Sequence, residues 1–229
     1  MSKETTIYLI RHGAPFMQLD YEYKDFHERS ERMILTVEGE QRAKEVTDKI
    51  EPVEKVFASN SVRAIATVKY IAHKNNLPVT VDNNINELSR GVLDKLKMAK
   101  LSDFPSDFYF KQFNDDNYKP EEGESINEGK ARVSKTLAEL LDSKYKKIAL
   151  GVHGVYIMCF LKQVGCVVKF GDINKDEAMF TVTLNDKVVY EGGLSDNPEI
   201  FKLVFAGDKV KTIESFIDKG LNLESAKKS

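Results

Sequence analysis

The chain has no tryptophan, only two cysteines and four histidines among its 229 residues. Two cysteines, Cys159 and Cys166, are too few for a disulfide framework. On one helix their Cα atoms would stand roughly 10 Å apart, beyond the reach of a bridge, so they read as buried thiols. No apolar run approaches the ~20 residues of a membrane span. The opening MSKETTIYLI lacks the basic, apolar and small-residue zones of a secretion signal, so a cytoplasmic location is expected. No charge of one sign dominates: 34 Lys and Arg face 36 Asp and Glu, a net charge of −2. That excludes a nucleic-acid binder working by bulk positive charge. No repeat, Gly/Ser linker or low-complexity tract marks a domain boundary.

What is present suffices for a folded core: apolar residues make up 41% and charged residues 31%. The length is about one and a half times a ~150-residue domain, so one domain with insertions is expected over 1–229. Apolar runs at Ile7–Ile10, Val53–Ala58, Pro78–Val81 and Ile148–Val152 read as strands. Leu35–Ile50, Ser61–His73, Glu124–Leu141 and Val155–Val164 carry helical periodicity, Leu35–Ile50 with a cap signal at Thr36. Strands alternating with helices predict an α/β fold, a mostly parallel sheet with helices on both faces. Four further runs, Phe180–Leu184, Lys187–Tyr190, Phe201–Phe205 and Val210–Ile213, are expected to add an antiparallel edge to that sheet. The terminal stretch Glu224–Ser229 is expected to fray.

Two segments break the alternation, about 14–34 and 94–123, and read as insertions. In the first, His27, Arg29 and Arg32 are candidates for a second anionic group of a ligand, or are simply solvated. In the second, the aromatic run Phe104–Tyr118 is either a lid or a packed excursion.

The chemistry gathers at strand ends. The first strand runs into Arg11-His12-Gly13 and the fourth into His153-Gly154. Carboxyl ends of parallel strands border the ligand crevice, so the two histidines should face one another there. The second strand is followed by Ser59-Asn60-Ser61, a helix start, and then Arg63, a setting that favours an anion. The third is followed by Glu87. Cations for phosphoryl oxygens, a nucleophile and an acid for the leaving group form a set suited to phosphoryl transfer. His27 and His73 have no partners at metal-ligand spacing, so neither metal nor cofactor is expected.

These residues resemble the histidine phosphatase superfamily, the phosphoglycerate mutase-like fold. LIRHG at Leu9–Gly13 is followed in family order by LTVEGEQRA at Leu35–Ala43, SNSVRAIAT at Ser59–Thr67, NELSRG at Asn86–Gly91 and GVHG at Gly151–Gly154. Gly123-Glu124-Ser125 with Arg132 is similar to a further segment of many members. The resemblance implies that His12 is the nucleophile and forms a phosphohistidine, its other ring nitrogen donating to a nearby polar group. It implies that Arg11, Arg63 and His153 bind the phosphoryl oxygens and that Glu87 is the proton donor, a role calling for a raised pKa. Ser125 is carried over as a substrate contact, with a structural role as the alternative.

The chain departs from the family pattern after Gly13, where Ala14-Pro15-Phe16 replaces the usual polar run. It departs from the mutase pattern in VLDKLKMAKL after Gly91 and in the missing tryptophan of the mutase loop. A phosphomonoester hydrolase acting on a small phosphorylated metabolite is therefore expected. The alternatives are a mutase-type phosphoryl transferase and a non-catalytic module that binds a phosphorylated ligand. Neither nucleic acid nor membrane is expected as a partner. A homodimer through the apolar helix after Gly154 is one option, and core packing explains the same residues equally well.

Overall fold

The computed structural model describes residues 3–16, 23–97, 105, 107–170, 179–193 and 198–216. Phe104 and the terminal Glu224–Ser229 lie outside them. A central sheet is built from β1 (Glu4–Arg11), β2 (Lys55–Ala58), β3 (Val79–Val81) and β4 (Lys147–Val152), joined by β8 (Ile200–Ala206) and β9 (Lys209–Phe216). The strand order is β3-β2-β4-β1-β8-β9. The first four run parallel, and β8 and β9 add an antiparallel edge beside β1.

The apolar strand runs are explained by burial on both faces. Ile7 and Leu9 of β1 and Leu150 and Val152 of β4 face α5 (Ile126–Asp142) and α6 (Gly154–Gln163). Tyr8, Ile10 and Ala149 face α2 (Val37–Thr47) and α3 (Val62–Lys74). The period of two along each strand thus feeds two cores, one per face. Helix α6 is buried from Gly154 to Leu161, so packing within the chain accounts for its apolarity. Helix starts are set by side chains: Thr36 accepts from the Gly39 amide, and Ser125 and Glu128 form a reciprocal capping box on α5. Glu124 falls before that helix, not in its first turn.

One expectation is corrected. Only two of the four C-terminal runs join the central sheet. β6 (Met179–Leu184) and β7 (Lys187–Gly193) pair instead with β5 (Val167–Phe170) in a separate three-stranded antiparallel sheet. Helix α6 ends just before Gly165, whose φ of 94° turns the chain into β5, and β5 supplies the edge that β6 takes. Hydrophobic alternation says that a strand has a buried face, not which neighbour it pairs with.

The two irregular segments contain short helices, α1 (Phe26–Arg32) and α4 (Phe108–Asn114). Helix α4 docks on the small sheet. Phe113 stacks on Phe170 at 5.2 Å and meets Phe180 edge-on at 5.0 Å. Packing therefore explains Phe108 and Phe113, while Phe110 is exposed. No helix among the described residues is long and apolar enough to cross a membrane.

Candidate active site

Strand ends bring the site together. Arg11 is paired with Val152 in register, and the His12 amide donates to the Val152 carbonyl at 3.0 Å, so the ends of β1 and β4 lie side by side. The next residues on the two strands, His12 and His153, have ring centroids 5.2 Å apart. Both are buried.

The tautomers follow from their partners. Nδ1 of His12 lies 2.8 Å from the Gly13 carbonyl oxygen. A carbonyl only accepts, so Nδ1 carries the proton and Nε2 keeps a lone pair. Burial, then the nearby charges of Arg63 and Arg11, hold His12 well below the usual histidine range, so the ring is neutral. Nδ1 of His153 lies 3.1 Å from a terminal nitrogen of Arg63, which only donates. His153 is therefore protonated on Nε2, which donates to the Ser59 hydroxyl at 2.7 Å. Burial and Arg63 lower its pKa as well.

The turn after His12 is clamped from two sides. The Gly13 amide donates to the Thr67 hydroxyl at 2.9 Å, and that hydroxyl donates to the Arg63 carbonyl at 2.7 Å. On the other side, a Cβ on Gly13 would sit 2.8 Å from the Gly39 carbonyl, and one on Gly39 would sit 2.5 Å from the Ala14 carbonyl. Neither glycine can carry a side chain while α2 starts this close to the strand end. The Thr36 amide donates to the Ala14 carbonyl and completes the contact.

Arg63 lies in the first turn of α3 and is buried. Its guanidinium donates to the Ser30 carbonyl of α1 and to His153. Burial pushes its pKa down to about 10, which leaves it cationic at neutral pH. Ser61 stands at the N-cap of α3 but makes no capping bond, and Ser59 serves His153 instead.

Glu87 is half-buried and fixed by three backbone amides. Its carboxylate accepts from Leu88 at 3.0 Å, Val155 at 3.2 Å and Tyr156 at 3.0 Å. The last two belong to the first turn of α6, directly after His153, which ties the acid to the second histidine. Arg132 secures the same loop. It donates to the carbonyls of Asn84 and Asn86 and grips Glu124, whose carboxylate accepts from the Ser89 amide. Gly91 ends the loop at φ 63°, with the Glu121 carbonyl occupying the place where a Cβ would stand.

Arg63 and Glu87 open onto a cleft of about 330 Å³ that also exposes Glu31, Asn60, Arg90 and Arg132. A neighbouring cavity of about 460 Å³, with Lys24, Lys95 and Glu122 on its walls, contains neither Arg63 nor Glu87. Of the five expected catalytic residues only Arg63 and Glu87 open onto the smaller space; Arg11, His12 and His153 line neither. Ser125 does not line the cleft; its hydroxyl caps α5. Of the three candidates in the first irregular segment, only His27 lines the cleft, Arg29 is buried, and Arg32 pairs with Glu28 at 3.0 Å. Arg90 belongs to the NELSRG motif, yet nothing in the sequence singles it out as a site residue. It pairs with Asp94 at 3.4 Å and is hydrogen-bonded to Tyr109 of α4. Among the described residues, no three His, Cys, Asp or Glu side chains gather as metal ligands.

The arrangement supplies a neutral imidazole with a free lone pair, a buried guanidinium whose charge acts on it, and a carboxyl group on the cleft that the guanidinium also lines. It can attack an electrophile whose charge the arginine neutralises. The family model of the histidine phosphatase superfamily, branch 1, matches residues 7–172. A curated relative, the probable phosphoglycerate mutase GpmB of Enterobacter sp. (strain 638), is 26% identical over 163 residues, 69% of this chain and 74% of that protein. Among solved structures, a mycobacterial glucosyl-3-phosphoglycerate phosphatase superposes with a TM-score of 0.61 at 20% identity, covering 94% of this chain and 98% of that one. A putative alpha-ribazole-5'-P phosphatase from Escherichia coli also gives 0.61, at 19% identity, covering 96% of this chain and 99% of that one. At these identities the two structures share the fold.

Proposed function

The chain belongs to the histidine phosphatase superfamily, branch 1, and on that premise we propose that it hydrolyses small phosphomonoesters without a metal, through a phosphohistidine on His12. The observation that carries this reading is the hydrogen bond from Nδ1 of His12 to the Gly13 carbonyl, which leaves Nε2 with its lone pair. Nε2 attacks phosphorus, the N–P bond forms, and the bond from phosphorus to the ester oxygen breaks in line. Glu87 supplies the proton to that oxygen. Arg11 and Arg63 hold the phosphoryl oxygens, and the His153 ring orients Arg63 for that task. In the second step Glu87 takes a proton from water, whose oxygen attacks phosphorus. The N–P bond breaks and its electron pair returns to Nε2.

A second reading, phosphoryl transfer of the mutase type, is supported by the names of the curated relatives. The missing tryptophan and the stretch VLDKLKMAKL after Gly91 speak for the hydrolase.

The test is phosphate release from p-nitrophenyl phosphate and a panel of phosphorylated metabolites in the presence of EDTA. A base-stable, acid-labile phosphoryl label is sought on histidine after rapid quench in base. Hydrolysis should persist in EDTA and vanish in His12→Ala. Loss of turnover in EDTA would overturn the metal-free step. Isomerisation of phosphoglycerate without phosphate release would establish the mutase, and phosphate binding without any phosphohistidine would establish a binding module.

A further inference from the structure

Resting on the hydrolase reading, we propose that the part of the substrate beyond the phosphoryl group is an uncharged polyol, a sugar or sugar-alcohol phosphate, selected by Glu31 and Asn60 and by the matching of every other charge in the cleft.

Four basic side chains line the cleft: His27, Arg63, Arg90 and Arg132. Arg63 is committed to the phosphoryl group. Each of the others faces its own carboxylate. His27 meets Glu31 at 3.3 Å, Arg90 meets Asp94 at 3.4 Å, and Arg132 meets Glu124 at 3.0 Å. Arg132 also spends two donors on the carbonyls of Asn84 and Asn86. A second phosphate or carboxylate on the substrate would have to displace one of these carboxylates, or sit beside it as a like charge. Either costs binding energy.

The remaining groups suit hydroxyls. Asn60, Asn83, Asn86, Ser30 and Ser89 line the cleft with neutral side chains that can both donate and accept. Glu31 is held from one side by the Asn60 amide at 2.6 Å and from the other by His27, so one carboxylate oxygen is the shared acceptor and the other can accept from a hydroxyl. Among the described residues, Leu88 is the only apolar side chain on the wall, and no aromatic ring of Phe or Tyr lines the cleft. A flat base or aryl group would find little stacking surface. A volume of about 330 Å³ stands at the small end of ligand-sized cavities, about 300–1,000 Å³, and suits a compact sugar.

The test uses matched open-chain pairs in which a carboxylate stands in place of a hydroxymethyl group. Glucitol 6-phosphate is compared with 6-phosphogluconate, and glycerol 3-phosphate with 3-phosphoglycerate, with p-nitrophenyl phosphate as the reporter of chemistry. The expected kcat/KM is at least tenfold higher for the uncharged member of each pair. Glu31→Gln should narrow that ratio at least threefold, by helping the anionic member and harming the neutral one. Turnover of p-nitrophenyl phosphate with equal or reversed preference within the pairs would overturn the polyol assignment and leave the hydrolase standing. An unchanged or wider ratio in Glu31→Gln would remove Glu31 from the selection. No turnover of any of the five compounds would overturn both.

Discussion

Replacing Thr67 by valine tests whether His12, the proposed nucleophile, is aimed by a side chain on another element. The Thr67 side chain is fully buried, and its hydroxyl is the acceptor for the Gly13 amide at 2.9 Å. Valine has nearly the same shape and helix propensity, so neither a cavity nor a propensity change is expected. The Gly13 N–H, itself buried, is left without its acceptor, and an orphaned buried donor costs about 1–3 kcal/mol. The Arg63 carbonyl is inside α3 and keeps its helical bond. For a chain of this size, a loss of about 2 kcal/mol lowers Tm by about 4–8 °C.

The catalytic effect should exceed the stability effect. Gly13 presents the carbonyl that fixes Nδ1 of His12, so a turn released at its amide loosens the ring. A misplacement approaching 1 Å costs about 100-fold, so kcat is expected to fall about 10–100-fold with little change in KM. Urea unfolding and steady-state hydrolysis of p-nitrophenyl phosphate measure the two effects. Thr67→Ser restores the hydroxyl, loses only a methyl group, and should recover most of kcat. A valine variant with wild-type kcat and less than about 0.5 kcal/mol of destabilisation would refute the clamp.

Acid should destabilise the fold through the two histidines. Both have folded pKa values well below 6.5, so between 6.5 and those lowered values the unfolded chain binds more protons than the folded one. Stability is then constant above about pH 6.5 and falls below it, by up to about 1.4 kcal/mol per pH unit for each histidine. Urea titrations at pH 7.5 and 5.5 should show this loss, and His153→Asn should reduce it. Gly91→Ala forces a Cβ into the Glu121 carbonyl at a φ of 63°, and a loss above about 2 kcal/mol is expected in urea unfolding. Arg132→Lys keeps the charge but cannot reach the Asn84 and Asn86 carbonyls and Glu124 together, so the Glu87 loop should loosen and kcat/KM fall about tenfold or more. A kcat/KM within twofold of wild type would show that this loop holds itself.

How much of this is legible in the sequence divides along a physical line. His12, His153, Ser59 and Arg63 can be placed together from sequence because each follows a parallel strand, and parallel strands share one carboxyl edge. Nothing beyond local periodicity is needed. The helix start at Thr36 is legible for the same reason, since a cap and its donor amide lie within three residues; the cap at Ser125 is just as local, yet periodicity alone places that start at Glu124. The pairing of β6 and β7 is not, because a strand's pattern names its buried face and leaves its neighbour open. Nor is the role of α1, whose Ser30 and Glu31 reach residues about 30 positions away, or of Tyr109, which finds Arg90 only once α4 has docked. The clue for Arg90 is its place beside Gly91 in the same loop as Glu87, a position shared by many solvated arginines.

The same division explains why one side chain couples the two halves of the site. Arg63 donates to His153, which belongs to the legible strand-end framework, and to the Ser30 carbonyl, which belongs to the docked helix α1. Glu31 follows Ser30 directly, and the amide of Asn60, three residues before Arg63, holds its carboxylate. These two acceptors use two of the guanidinium's five N–H donors, so a phosphoryl group bound through the others shares the side chain with α1. The phosphate and the segment that carries Glu31 are therefore held by one guanidinium. Substrate chemistry and substrate selection meet at a single guanidinium, and a change at Arg63 should alter which substrates are preferred as well as how fast they react.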